Sequence, residues 1–338
     1  MTPSAIQKVL TVSIAAYNVE GYIEQTLEPF CNEAVADRVE VLIIDDGGTD
    51  RTLEIARGYQ SRYPSTFVPV HKENGGWGST VNTSIHRARG RYFKLLDGDD
   101  RFDPKTLPVI LDQLEKTDVD LVYTPYTEFE DETNRILRVI GPVADTPIGT
   151  VVDAARVADW APLNMHASTF KTSVLQDHRI CVLEHCFYTD AEYYIKALSF
   201  CRSALLLDKP LYQYRVGRNG QSVSPESWKK HYPENERVIK ELIAFEASSD
   251  MSDKMRETVR GRIVGPIRFH YQMLSLAGCR PQLVQFDAEL KQLSPLYYQL
   301  SESKTLKLFR RLKFYWCKPL YTHIQRHRQT RDAHLPSR

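Results

Sequence analysis

Apolar runs separated by stretches of helical periodicity fill the first two-thirds of the chain. Val9 to Ala16, Val39 to Ile44, Thr66 to Val70, Tyr92 to Leu96, Leu121 to Thr124 and Ala204 to Leu207 read as strands. Between them, helical patterns run from Gly21 to Phe30, from Asp50 to about Tyr63, and from Ser79 to Ala88, the last ended by Gly90. Asp103-Pro104 opens a further helix, with Pro at a first-turn position. Thr127 to Thr150 reads as irregular strands or hairpins, Val151 to Trp160 as a short helix, and Asp190 to Leu198 as a helix with Tyr194 and Leu198 on one face. Strands alternating with helices predict an α/β fold built on a mainly parallel sheet flanked by helices. After Pro225 the pattern turns helical and polar. This places a domain boundary near 225, with residues 1–225 forming the sheet domain and 226–338 a helical C-terminal region.

Composition adds bounds. The 338 residues are 42% hydrophobic and 26% charged, ordinary for a folded domain with a large core. The longest apolar runs fall far short of the ~20 residues that span a bilayer. The N-terminus lacks the basic and apolar regions of a signal peptide, so a cytoplasmic location is expected. Six scattered cysteines (Cys31, Cys181, Cys186, Cys201, Cys279, Cys317) contain no Cys-x-x-Cys pair and read as reduced thiols. The net charge of +1 hides an asymmetry: residues 304–331 carry nine Lys or Arg and no acid. Asp332 and Arg338 cancel in the last seven residues, which leaves residues 1–303 at −8.

Three strands end in polar residues. The first closes on Ala16-Tyr17-Asn18, the second on Asp45-Asp46-Gly47-Gly48-Thr49-Asp50, and a later one on Asp97-Gly98-Asp99-Asp100. In open α/β sheets ligands bind outside the carboxyl ends of the strands, so these termini define one crevice. Alternation along a strand puts Asp97 and Asp99 on one side with Gly98 between them, a pair of hard carboxylates suited to Mg²⁺ or Mn²⁺. Asp45 and Asp46 can accept hydrogen bonds from a base or a ribose. The glycines of Glu73-Asn74-Gly75-Gly76-Trp77-Gly78-Ser79 allow backbone close to a ligand. Other readings fail on detail: Gly76-Trp77-Gly78 lacks the third glycine of a dinucleotide fingerprint and follows the third strand, no P-loop is present, and Arg101-Phe102 breaks an EF-hand loop. A nucleotidyltransferase usually has a glycine-rich basic loop near its first strand, where this chain has Tyr17-Asn18-Val19-Glu20. A third reading is a degenerate domain that binds nucleotide without turnover.

Five blocks in order resemble the family 2 glycosyltransferases, which have the GT-A fold. They are Thr11 to Asn18, Val41 to Asp50, Glu73 to Gly76, Ala88 to Tyr92 and Leu95 to Asp100, and the resemblance covers about residues 8–224. Gly48 departs from the family's usual Ser. The resemblance implies transfer of a sugar, usually with inversion, from a nucleotide-diphosphate donor, with UDP expected, to a saccharide or lipid-linked acceptor in surface polysaccharide or glycoconjugate synthesis. Ala16, Tyr17, Asn18, Asn74, Gly75, Gly76 and Gly98 would then lie along the donor. Asp46 matches the residue that contacts the nucleobase, with Asp45 beside it. Asp97 and Asp99 match the metal and diphosphate motif for Mn²⁺ or Mg²⁺, Asp99 as the direct ligand. Asp190 matches the catalytic base, with Glu192 as its backup, and His166 falls in the loop facing donor or acceptor. Arg218 and Arg215 are candidates to clamp the diphosphate, or Arg215 serves as a structural ion-pair partner.

In the basic tail, Leu308, Phe309, Leu312, Tyr315 and Trp316 share one predicted helical face, with Lys307, Arg310, Arg311 and Lys318 mainly elsewhere. Such a segment suits an anionic membrane surface at the inner face of the cell membrane, or docking of its apolar face on the protein's own body. Nucleic acid is not an expected partner.

Overall fold

The computed structural model describes residues 8–217 and 225–323. The chain divides into two compact units, residues 1–219 with 251–258 and residues 220–250 with 259–338.

Among the described residues the first unit carries twelve strands: β1 (Leu10–Ala16), β2 (Val39–Asp46), β3 (Phe67–Lys72), β4 (Tyr92–Asp97), β5 (Arg101–Phe102), β6 (Leu121–Tyr123), β7 (Tyr126–Glu130), β8 (Ile136–Ile140), β9 (Val151–Asp153), β10 (Ser168–Lys171), β11 (Ser203–Leu206) and β12 (Tyr212–Val216). Eight form the main sheet in the order β3-β2-β1-β4-β10-β6-β11-β9, and β5-β12-β7-β8 form a second. β3, β2, β1 and β4 are mutually parallel. Their register sets Ala16 beside Asp45, Asp46 beside Lys72 and Ala15 beside Asp97, so the carboxyl ends of four strands form one rim. Both faces of β2 are covered, and every residue of it is buried. Glu40 survives there because Thr11 Oγ1 and the Arg89 N–H donate to its carboxylate, at 2.8 and 3.0 Å.

Several expectations are corrected. Val151 to Trp160 does not begin as a helix: Val151–Asp153 pairs antiparallel with β11 as the sheet's edge strand, and only Val157–Trp160 is α-helical. The predicted helix from Gly21 to Phe30 contracts to Ile23–Leu27, because Pro29 lies in a tight 3₁₀ turn over Glu28–Cys31. β10 enters the sheet antiparallel to both β4 and β6, which the alternation of strand and helix did not indicate. β4 stops at Asp97, and Gly98-Asp99 turn away from it, so strand alternation does not set the relation of Asp97 to Asp99.

In the second unit the helices are Pro225–Ser248, Asp253–Ala277 (its first turn grouped with the first unit), Arg280–Leu293, Pro295–Leu300 and Lys304–Arg311. The predicted continuous basic helix is also corrected: it ends at Arg311, and Lys313, Phe314 and Trp316 adopt left-handed backbone before residues 317–323 resume a helix. Phe309 turns inward while Leu308, Leu312, Tyr315 and Trp316 stay exposed. No helix among the described residues is long and apolar enough to cross a membrane.

Candidate active site

At the rim, Ala15, Ala16, Tyr17, Val19, Asp46, Trp77, Thr80, Asp97, Gly98 and Asp99 line a cleft of about 270 Å³. Each arrives by a local cause. Gly98 donates its N–H to the Ala15 carbonyl at 3.0 Å, and a Cβ there would lie 2.8 Å from that oxygen, so only glycine lets β4 turn beside β1. Asp46 anchors the glycine-rich loop: its carboxylate accepts from the Gly75 N–H (2.9 Å), the Gly76 N–H (2.8 Å) and Lys72 Nζ (2.8 Å), while its carbonyl accepts from Asn74 Nδ2 (2.9 Å). Asp45 lies one step behind, bonded to His71 Nδ1 at 2.6 Å and accepting from the Gly48 N–H at 3.2 Å. A Cβ at position 48 would sit 2.6 Å from Asp45 Oδ1, so a larger residue there would require that carboxylate to shift. Asn18 stands beyond the lining and shapes the loop after β2, its Oδ1 accepting from the Thr49 N–H at 2.8 Å.

The acidic cluster splits by environment. Asp97 Oδ1 accepts from the Trp77 indole at 2.8 Å and faces the cleft. Asp99 also lines the cleft, and its carbonyl accepts from Arg215 Nε at 2.6 Å. Asp100 is buried and is not part of the cleft lining. It accepts from Tyr212 Oη at 2.5 Å and from the Arg215 N–H at 2.7 Å, and burial, reinforced by Asp97 and Asp99, pushes its carboxyl well above the usual range. Arg215 is itself buried, bonded to Asp131 (2.7 Å) and Gln25 (3.1 Å) and placed over the Tyr22 and Phe129 rings. That geometry makes Arg215 a strut beneath the acidic cluster. Arg218 lies outside the described residues.

His166 is wedged among Tyr126, Tyr212 and Tyr214, with ring centroids 4.7 to 5.1 Å away. Burial, then the nearby Lys94, pushes its imidazole down to about 3, so it is neutral at ordinary pH. Its Nδ1 is buried with no hydrogen-bond partner among the described residues. Asp97, Asp100 and His166 each bring one donor atom to within 4.8 Å of the others. Two carboxylates with a neutral imidazole whose nitrogen is unpartnered fit a divalent ion, and the mixed oxygen–nitrogen set suits Mn²⁺ better than Mg²⁺. Asp99 is not one of the three.

Lys94 holds the His166 loop. Fully buried in β4, its ammonium donates to the His166 carbonyl at 2.8 Å and the Ser168 carbonyl at 3.2 Å. Burial lowers it from the ordinary 10.5 to about 7. Between those values the unfolded chain binds the extra proton, so folding gains stability as pH rises from about 7 and bears the full cost of the buried charge below it. The wild type is therefore expected to gain on Lys94→Met by on the order of a few kcal/mol as melts are moved from pH ~7 to ~10. A pH-independent gap between the two would show that Lys94 titrates normally.

Asp190 opens the helix Thr189–Leu198, just after Tyr188 turns the chain with left-handed backbone (φ 65°). Burial raises its carboxyl above the ordinary value, although its own N–H and that of Ala191 oppose the shift. The segment leading to it is clamped along the glycine-rich loop and the helix Trp77–Arg87. The His185 N–H donates to the Gly75 carbonyl at 2.6 Å, and Asn82 exchanges hydrogen bonds with the Val182 backbone at 2.9 Å. Glu192, the alternative base, is corrected to a structural role: fully buried, it pairs with Lys196 at 2.7 Å and caps the Leu183 N–H at 3.1 Å.

Of the residues expected along the donor, Ala16, Tyr17, Asp46, Asp97, Gly98 and Asp99 share the cleft lining. Asn18, Asp45, Asn74, Gly75 and Gly76 support it from behind, while His166 and Asp190 stand apart from it. Thr80, and the hydrogen bond between Trp77 and Asp97, were not read from the sequence.

The sequence profile described as Glycosyl transferase family 2 matches residues 11–181, just over half of the chain. EpsH of Bacillus subtilis is 30% identical over 219 residues, 61% of this chain and 60% of EpsH. GgaB, a minor teichoic acid biosynthesis protein of the same organism, is 26% identical over 222 residues, 63% of this chain and 23% of GgaB. The chain thus spans less than two-thirds of either relative. Among solved structures, S. aureus TarS 1-349 in complex with UDP-GlcNAc superposes with a TM-score of 0.68 at 19% identity, covering 94% of this chain and 92% of that one. The mannosyltransferase PcManGT from Pyrobaculum calidifontis, in complex with GDP-Man and Mn²⁺, gives 0.51 at 15% identity, with 91% and 87% covered. The fold is therefore GT-A, with C-terminal helices.

Proposed function

We propose that this chain, which belongs to glycosyl transferase family 2 and is a glycosyltransferase, moves a sugar with inversion from a UDP-linked donor to a saccharide or lipid-linked hydroxyl in polysaccharide or teichoic acid synthesis. The observation that carries this reading is the cleft at the ends of β1, β2 and β4, where Tyr17, Asp46, Trp77, Asp97 and Asp99 converge. Tyr17, more than half exposed, offers a ring to stack on the base, and Asp46 holds the loop that closes the nucleoside end. The UDP-GlcNAc bound by TarS supports a uridine donor.

Asp97, which faces the cleft, together with Asp100 and His166 behind its lining, would hold the metal, and Asp99 stands at the cleft wall. A bound divalent ion supplies neutralisation of the charge that develops on the departing diphosphate. Asp190 takes the proton of the acceptor hydroxyl as that oxygen attacks the anomeric carbon, so the bond to the diphosphate breaks as the new glycosidic bond forms. Trp77 fixes Asp97 from within the cleft, and Lys94 fixes the loop that carries His166.

Thermal melts with nucleoside diphosphates and Mn²⁺ test the donor site. UDP at about a hundred times its Kd is expected to raise Tm by about 5–10 °C, and Asp97→Asn to remove most of that rise. No shift with UDP, GDP, CDP or dTDP would contradict this reading.

A further inference from the structure

The C-terminal turn of the second unit sorts its side chains in two. Leu306, Phe309, Phe314 and Cys317 are buried, and Phe314 lies parallel to Tyr271 with ring centroids 6.2 Å apart. Two of its cations are consumed internally: Arg310 pairs with Asp287 at 2.8 Å and Lys307 with Glu302 at 2.9 Å. Leu308, Leu312, Tyr315 and Trp316 remain outside, Trp316 at 71% exposure. Among the described residues, Arg311, Lys313 and Lys318 have no carboxylate partner.

The segment is therefore already anchored without its outer face. Left-handed backbone at Lys313 and Trp316, which costs energy for residues with a Cβ, holds an indole in water where a continued helix could have packed it. Arg280 stacks over the Tyr315 ring at 3.6 Å and donates to the Lys313 carbonyl at 3.0 Å, so the turn is ordered. Tryptophan and tyrosine beside leucine and unpaired cations are the composition that enters the headgroup boundary of a bilayer.

From this sorting we infer that the turn Leu308–Lys318 is a docking surface for an anionic lipid membrane. Leu308, Leu312 and Trp316 enter the acyl boundary, and Arg311, Lys313 and Lys318 meet lipid phosphates. The complementarity is directional, because residues 304–331 hold nine cations and no acid whereas the rest of the chain is acidic. An anionic membrane thus attracts this segment. This inference goes beyond the transferase reading and stands whether or not that reading holds.

Co-sedimentation of the full chain with vesicles of phosphatidylcholine and phosphatidylglycerol in equal parts tests it, with phosphatidylcholine alone as the neutral control. Binding to the anionic vesicles is expected, falling about a hundredfold in Arg311→Gln/Lys313→Gln/Lys318→Gln. Leu312→Gln/Trp316→Gln should lose at least about tenfold. Both variants change exposed positions, so their melting temperatures should stay near that of the wild type. Equal sedimentation of all three proteins would overturn the inference. So would a loss of self-association, or of binding to a single-stranded oligonucleotide, with vesicle binding unchanged.

Discussion

Asp190→Asn is expected to lower sugar transfer by about 10²–10⁴ while leaving nucleotide affinity close to that of the wild type. The amide keeps the shape of the side chain and the helix start but cannot accept the acceptor's proton. The variant should also fold well. The Asp190 carboxyl is raised by burial, so its charged form is penalised in the folded state above that raised value and unpenalised below the ordinary one. A neutral amide removes the penalty at neutral pH, and Tm should hold or rise. The same shift sets the acidic limb of wild-type kcat/KM above the ordinary carboxylate range, since the base must be deprotonated to work. Transfer by Asp190→Asn at the wild-type rate would remove it as the base.

Arg215→Met is expected to cost about 3–5 kcal/mol of stability, the usual result of removing one partner from a buried charged network. The guanidinium leaves behind the Asp99 carbonyl, the Asp131 carboxylate and Gln25 beneath the acidic cluster. At roughly 2–4 °C per kcal/mol, Tm should fall by about 10 °C. Donor affinity should fall with it, because Asp99 lines the cleft. A variant that melts like the wild type but has lost UDP affinity would instead mark Arg215 as a phosphate ligand.

The strands that carry the cleft were legible because their physics is local. β1, β2 and β4 are largely apolar runs that end in Asp or, for β1, two residues before Asn18, and parallel strands buried on both faces leave that signature. Short antiparallel insertions were not legible. Ser168–Lys171 is a strand only because β4 and β6 flank it, and Val151–Asp153 only because β11 lies beside it. Tertiary pairing overrode the helical look of the alanines and arginine that follow.

In the site, residue types were readable and their partnerships were not. Asp97 and Asp99 meet at the cleft through a turn at Gly98, and nothing in the spacing reveals that Asp100 faces inward to Tyr212 and Arg215. Asp97 and His166 lie 69 positions apart in sequence, and only the β4–β10 pairing, latched by Lys94, brings them near. The tail misled for a related reason. Helical periodicity continues past Arg311 in the letters, whereas burial of Phe309 and Phe314 turns the backbone.

The most direct measurement follows nucleoside diphosphate release from a panel of nucleotide sugars with Mn²⁺ and an oligosaccharide or polyprenyl-phosphate-linked acceptor, wild type beside Asp190→Asn. Acceptor-dependent release from a UDP-sugar by the wild type, with inverted anomeric configuration in the product and about 10²–10⁴ less in the variant, is the expected result. Release from no nucleotide sugar, or equal release by both proteins, would contradict sugar transfer through this cleft and Asp190.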